Sequence, residues 1–372
     1  MDTQRFDILV IGGGIAGATV AWHLASRHKV AVLEAESLPG YHTTGRSAAI
    51  WIQNYGPPDV QALTGLSRAF FETPPLGFSD VPLAHRRAVA FLAPPEQVAR
   101  LEEIFATGIG LRPIEIAELC RRVPVLKPSY LAAAGIEEDA FDMDVAALHQ
   151  GFLAGVKRAG GAVICNARTD RIERVGGIWR VTTTAGAVFE AAKIINAAGA
   201  WGDIVAGQAG IAALGLQPKR RTGVIIEPAP HVTWDWPMLR DVHQTWYARP
   251  EARTRLMVSP SDETDMDPQD IQPDELDVAI AIDRMQQALD IPVRHIERSW
   301  AGLRTFTPDR SLAFGPDAAE PSFIWCVGQG GYGIQTSPAA GALVAALIEG
   351  RDPGAPGINI SAVDPNRFKS KA

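Results

Sequence analysis

The run FDILVIGGGIAGATVAWHLASRHKVAVLEAE, Phe6 to Glu36, permits few folds. Phe6 to Ile11 reads as a buried strand, the glycines that follow as a tight turn, roughly Ile15 to Ser26 as a helix, and Val30 to Glu34 as a second buried strand. Strand, turn, helix and strand make a βαβ unit, which requires a parallel sheet covered by helices. Gly12, Gly14 and Gly17 are spaced as GxGxxG across the first strand–helix joint. The first glycine allows the turn and the second lets a pyrophosphate approach the backbone. The third lets helix and strand pack closely, and the helix opening at Ile15 and Ala16 offers free N–H groups to an anion. Glu34, 20 residues beyond Gly14, precedes Ala35 at the end of the next strand, where it accepts from both ribose hydroxyls. These features together predict a dinucleotide site.

The rest of the chain fits one sheet domain drawn from separated segments. A helix is expected from about Asp144 to Ala159, then the strand AVICNA, then a meander broken at Gly176, Gly177 and Gly186 whose last strand, Lys193 to Asn196, ends in AAGAWGD. Near the C-terminus, SFIWCVGQGGYGIQTSPAAGALVAALIEG repeats strand, glycine turn and helix. The intervening segments hold helical patches such as PEQVARLEEIF, β-like runs such as TGVIIEP and TWYAR, and an acidic stretch, SPSDETDMDPQDIQPDELD. The acidic stretch reads as a solvated loop or helix start, since it lacks the glycine and terminal glutamate of a calcium loop. The expected division is 1–80, 140–212 and 302–372 for a dinucleotide domain, and 81–139 and 213–301 for a second, interleaved α+β domain.

Composition narrows the class. Hydrophobic residues are 47% and charged residues 21% of 372, enough for a large core. The formal charge of -7 argues against a nucleic-acid partner, which needs a basic face. The N-terminal apolar run is interrupted by glycine too soon for a signal segment or membrane span, so a cytoplasmic protein is expected. Cys120, Cys165 and Cys326 are far apart, with neither CxxC nor a Cys/His cluster, so neither a disulfide nor a metal site is expected. His23 lies in the first helix and the other seven histidines are scattered.

GYHTTGRSAAIWIQNYG, Gly40 to Gly56, turns from polar to apolar at Ile50. With LGLQPKRR, WAGLRTF and QGGYGIQTS in the same order and spacing, it resembles the D-amino-acid oxidase and glycine oxidase superfamily of FAD enzymes. Within that superfamily the sequence looks most like the D-arginine dehydrogenase group. The resemblance spans nearly the whole chain and implies a GR2-type FAD-binding Rossmann-like domain with an α+β substrate domain.

The resemblance also implies roles. Thr44, Gly45, Arg46, Ser47 and Ala48 would run under a noncovalent FAD, with Arg46 and Ser47 meeting pyrophosphate and flavin and Thr43 supporting the loop. Ile50, Trp51 and Ile52 would enter the substrate cavity, with Tyr55 at its edge. Thr169, Ala198, Gly199, Trp201 and Gly302 would complete the cofactor site. Gly330, Gly331, Tyr332, Gly333, Ile334 and Gln335 would place backbone and a helix N-terminus against the flavin ring, where the positive helix end favours the anionic reduced form. Arg304 would clamp the substrate carboxylate in a fork, sharing it with Tyr247, with Arg221 beside them and the Gly331 carbonyl facing the amine. Some sarcosine-oxidase relatives hold flavin through a cysteine near the position of Leu303, and its absence implies noncovalent FAD.

The expected reaction is oxidative deamination of a D-amino acid to a 2-oxo acid and ammonia. The alternatives are oxidation of a secondary amine such as an opine, or a flavin subunit that only passes electrons. The electron acceptor, oxygen or a quinone-like carrier, is left open. Arginine-specific relatives place a carboxylate in the pocket; here that region holds Arg86 and Arg87, with Arg240 two residues after Met238. Should these arginines face inward, an acidic side chain or carboxylate-bearing opine is expected; should they face solvent, an apolar one.

Overall fold

The computed structural model describes residues 3–369. Five short apolar runs lie side by side as a parallel sheet, in the order Ala162–Ile164, Val30–Leu33, Gln4–Ile11, Val188–Asn196 and Phe323–Val327. Their cores, such as Leu9, Val10, Val32, Ile194 and Trp325, are fully buried. Such continuous apolar runs belong to strands covered on both faces, where each buried aliphatic side chain contributes about 1.5–3 kcal/mol. The hairpin Thr169–Val175 and Ile178–Thr183 adds to the first half of Val188–Asn196, and Ala313–Pro316 pairs antiparallel with Phe323–Val327.

One face of this sheet carries the helix Ile15–Ala25, which lies against the helices Gly333–Glu349 and Val145–Arg158. Asp144 caps the last of these by accepting from the Ala147 N–H at 2.8 Å. Gly333–Glu349 contains Pro338, which deprives the Ile334 carbonyl of its usual donor; the Ser337 hydroxyl donates to that carbonyl instead, at 2.9 Å.

A second, eight-stranded sheet runs in the order Arg298–Phe306, Gln217–Ile226, Arg255–Ser259, Tyr247–Glu251, Met238–Asp241, Val89–Ala93, Ala133–Glu137 and Leu111–Pro113. Alternation sorts its side chains. Ala90, Leu92, Leu239 and Val258 pack beneath the helices Ile116–Arg122 and Glu275–Ala288, whereas Val89, Phe91, Met238, Tyr247 and Met257 turn toward Ile50 and Ile52. Three short strands, Ile50–Trp51, Phe141–Met143 and Ala84–Arg86, form a small sheet of their own. The boundary drawn from sequence between residues 301 and 302 falls inside the continuous strand Arg298–Phe306, which pairs with Gln217–Ile226 along its length. The division into two units remains a proposal, with a strand rather than a linker at that joint.

No helix among the described residues is long and apolar enough to cross a membrane. Among the same residues no cluster of His, Cys, Asp or Glu side chains is disposed to hold a metal, and the three cysteines are free thiols.

Candidate active site

The carboxyl ends of all five parallel strands lead into one elongated cavity of about 350 Å³, lined by Gly12 and Gly14, Glu34 and Ala35, Ala167 to Thr169, Ala197 to Trp201, and Gln329 to Gly331. Ligands of open parallel sheets bind at this edge. Gly12 has φ +108°, and a Cβ there would lie 2.5 Å from the Ala197 carbonyl oxygen, so only glycine makes this turn. Glu34 is buried and accepts from the backbone N–H groups of Gly13 at 2.9 Å and Glu36 at 2.8 Å. Gly14, at the N-cap of the helix that opens at Ile15, has no side chain with which to cap it. Thr44 accepts from the Ile15 N–H at 3.0 Å and Thr43 donates to the Leu303 carbonyl at 2.6 Å, tying the polar loop to both the glycine turn and the strand Arg298–Phe306.

Most residues expected at the cofactor line this cavity: Gly12, Gly14, Ile15, Ala16, Glu34, Ala35, Thr44, Arg46, Ser47, Ala48, Thr169, Ala198, Gly199, Trp201, Gly302, Arg304, Gly330, Gly331, Gly333, Ile334 and Gln335. Three do not. Gly17 packs on Gly12, where a Cβ would sit 1.9 Å from the carbonyl oxygen; Gly45 donates its N–H to Gly40; and Tyr332 is buried behind the site, edge-on to Tyr55 at 5.1 Å.

Two others line the cavity in a different manner from that expected. The Arg46 guanidinium is bonded to Asp270 and to the carbonyls of Ile271 and Ala301, each carbonyl at 3.1 Å, so a pyrophosphate meeting it would share it with these groups. The Gln335 side chain donates to Thr64 at 2.7 Å and exchanges longer bonds with the Ile52 backbone, so the helix N-terminus, rather than this amide, is what it leaves for a ligand.

At the far end the cavity is lined by Ile50, Ile52, Tyr55, Met143, Arg221, Met238, Arg240, Gln244, Trp246, Tyr247, Ser261 and Arg304. The expectation for Trp51 is corrected. Successive side chains of an extended segment point to opposite faces, so with Ile50 and Ile52 inward Trp51 points away. It is 1% exposed, stacked on Phe141 at 4.9 Å and donating to the Thr64 carbonyl at 3.2 Å. The arginines separate too. Arg86 is exposed and paired with Asp139; Arg87 is buried against Asp142 and the carbonyls of Trp234 and Trp236. Neither reaches the cavity, but Arg240 does.

Gly331 is where the two ends meet. A Cβ on it would lie 2.7 Å from the Tyr55 hydroxyl and 2.8 Å from an Arg304 nitrogen, so glycine is what lets that guanidinium approach the loop. Arg304 donates to the Tyr55 hydroxyl at 3.1 Å and has no carboxylate partner among the described residues. Arg221 pairs with Gly302 in register, two residues from the Lys219–Arg304 pair, which puts Arg221 and Arg304 on one face as diagonal neighbours. Arg221 bonds the Asp262 carbonyl at 2.9 Å and Glu263 at 3.2 Å. Burial pushes the Tyr55 phenol up, but Arg304, Arg221 and Arg240 around it outweigh burial and hold it below the ordinary tyrosine value. Burial lowers Arg240, and burial together with Arg304 lowers Arg221. The far end is therefore a buried, cationic compartment.

Residues 7–347 match the family described as DAO, FAD dependent oxidoreductase. The chain belongs to the DAO family of FAD-dependent oxidoreductases. It is 26% identical over 367 residues to glycine oxidase of Bacillus licheniformis, covering 93% of this chain and 94% of that one. It is 23% identical over 406 residues to FAD-dependent oxidoreductase domain-containing protein 1 of Mus musculus, covering 93% and 81%. The fold matches the crystal structure of L-proline dehydrogenase from P. horikoshii with a TM-score of 0.85 and 22% identity, over 99% of each chain.

FAD is accordingly the cofactor of this DAO-family chain, and the glycine turn, Glu34 and the two helix N-termini whose own N-cap residues supply no side-chain bond fit it. Leu303 is buried and offers no nucleophile to the cofactor, while Cys326 lies in the core with its thiol pushed up to about 12 by burial. One contributor escapes the sequence motifs. His149 donates from Nε2 to the Gly13 carbonyl at 2.8 Å beneath the phosphate turn, and burial lowers its pKa. A histidine on the buried face of an amphipathic helix was the only sequence signal.

Proposed function

We propose that this chain oxidises an α-amino acid of D configuration, or a closely related secondary amine, at the C–N bond, giving an imine that water converts to a 2-oxo acid. The observation that carries the reading is Arg304: a guanidinium with no carboxylate partner among the described residues, held against Gly331 at the junction of cofactor and substrate compartments. Its planar donors suit an α-carboxylate. Tyr247, buried on the same cavity wall, supplies a hydroxyl without a partner for the second carboxylate oxygen. FAD, when bound, supplies the acceptor for the hydride and its electron pair. The protein orients the α-carbon through the carboxylate, excludes water with Ile50, Ile52 and Met238, and leaves the Gly331 carbonyl to face the amine. No side-chain base is needed on the carbon, because the nitrogen lone pair drives hydride departure. Glycine and L-proline, named in two relatives, are a primary and a secondary amino acid, consistent with one scaffold serving either.

The test is anaerobic flavin bleaching of the FAD-loaded protein with paired D- and L-amino acids and their N-alkyl derivatives. The reading requires reduction by at least one D-amino acid, with ammonia released; release of a primary amine instead selects the secondary-amine reaction. Protein that no amine reduces would overturn both.

A further inference from the structure

We propose that the substrate carries a second carboxylate and that Arg240 is the residue that receives it; this rests on the amine-oxidation reading for the first carboxylate at Arg304. Arg240 is 5% exposed and lines the substrate end of the cavity. Its strand, Met238–Asp241, sits between Tyr247–Glu251 and Val89–Ala93, and alternation turns Met238 and Arg240 into the cavity while Leu239 joins the opposite core. The guanidinium is flanked by the rings of Tyr55 at 5.4 Å and Phe91 at 5.2 Å. Among the described residues it makes no ion pair and no side-chain hydrogen bond.

Asp241 and Glu137 lie near enough for their charge to favour the guanidinium, but neither bonds it. Asp241 points away and accepts from the N–H groups of Thr245 and Trp246 and from Gln97. Glu137 accepts from the backbone of Gln53 at 2.6 Å and from the Asn54 side chain at 2.8 Å. Glu263 serves Arg221 and Arg310. Other arginines taken out of solvent are differently placed: buried Arg87 has Asp142, while the partly buried Arg249 has Asp142 and Glu251 and Arg220 has Asp277. A buried charge without a counter-ion is costly, so a cation kept this way beside an open cavity calls for an anion delivered from outside.

Arg304 and Arg240 project from the same face of the eight-stranded sheet, Arg304 from its edge strand beside Gly331 and Arg240 from a strand four places along, with Tyr55 in contact with both. A ligand reaching both has two anionic ends separated by a short chain: an acidic amino acid, or an amine bearing a carboxyalkyl group. A cationic side chain would meet Arg240 and Arg221 and be repelled.

The experiment compares the FAD-loaded protein with D-Glu against D-Gln, and with N-carboxymethyl against N-methyl alanine, reading anaerobic flavin reduction. Binding of glutarate against butyrate, neither of which is oxidisable, is read from the flavin spectrum. The carboxylate member of each pair is expected to be favoured by on the order of 10- to 100-fold, the worth of a charged hydrogen bond. Arg240→Met should erase the preference, Arg240→Lys should keep part of it, and Arg86→Met, outside the cavity, should leave it intact. Equal reduction by both members of each pair overturns the second carboxylate and leaves amine oxidation standing. A glutarate preference that needs Arg240, with no amine reducing the flavin, keeps the dicarboxylate site and overturns amine oxidation. Absence of both overturns both. Should Arg240→Met lose FAD, the wild-type panel and Arg240→Lys decide.

Discussion

Arg240 and Tyr247 face each other across adjacent antiparallel strands, and among the described residues each brings an unsatisfied polar group into the same cavity: a guanidinium with no ion pair and a buried hydroxyl with no hydrogen-bond partner. Groups left this way cost stability in the empty protein and are repaid only by ligand. Tyr247→Phe is therefore expected to leave the melting temperature unchanged or slightly raised while weakening substrate binding by about 1 kcal/mol or more. Calorimetry and a substrate titration of flavin reduction check the two halves, and a clear loss of stability would show that the hydroxyl has a structural partner.

Arg304→Met should keep FAD, since the glycine turn and Glu34 are untouched, but should lose on the order of 3 kcal/mol in apparent transition-state binding because the α-carboxylate is no longer oriented. Steady-state kinetics beside flavin content is the measurement. A variant with normal turnover and normal KM removes Arg304 from the site.

His149→Leu removes the donor to the Gly13 carbonyl and leaves a buried oxygen unsatisfied, a cost of about 1–3 kcal/mol placed on the phosphate turn. FAD affinity should fall by roughly 10-fold or more. Reduction of whatever FAD is bound should proceed at the wild-type rate, because no substrate group is touched. Apoprotein titration with FAD separates the two.

The cofactor end was legible because its information is local. GxGxxG, Glu34 and the loop from Thr43 to Ala48 lie within about one βαβ unit, where spacing fixes position. The substrate end was legible only as a set of candidates. That Trp51 would leave the cavity follows from strand alternation once Ile50 is known to face in, but sequence does not show which residue of the three does. Arg86, Arg87 and Arg240 are equivalent on paper. What separates them is Asp139 and Asp142, more than 50 residues away in sequence from the first two and brought to them by the small sheet. His149 meets Gly13 across 136 residues, a contact that no window reveals.

Stability should fall as pH drops through the histidine range. His23 is lowered by burial from 6.5 to about 4, while its Nε2 donates to the Pro338 carbonyl at 3.2 Å. Between pH 6.5 and about 4 the unfolded chain takes up a proton that the folded chain refuses, so stability present above 6.5 is lost on acidification, on the order of 3 kcal/mol in all. Below that, Glu349, held at about 2 chiefly by Arg27, contributes a further loss in the same direction between 4.5 and 2. Denaturant unfolding at pH 7 and pH 5 checks the first window, and His23→Gln should flatten it. A stability that rises on going from pH 7 to pH 5 would contradict the assignment.

Arg240→Met offers a test of whether this cation is kept for function or for structure. Two ring contacts are worth about 0.5–2 kcal/mol each, whereas the effective cost of burying a charge is several kcal/mol per ion. The methionine fills a similar volume beside Tyr55, Phe91 and Met238 without that cost. The empty, FAD-loaded variant should therefore be more stable than wild type by roughly 1–2 kcal/mol, at the low end of the about 1–4 kcal/mol found when buried ion pairs yield to packed hydrophobic residues. Glutarate should reverse the order, raising the melting temperature of the wild type but not of the variant, because only a chain that retains the guanidinium gains from the anion. Differential scanning calorimetry with and without glutarate reads both. A variant that melts lower than wild type without ligand would mean that the ring contacts dominate and that Arg240 braces the wall it stands on.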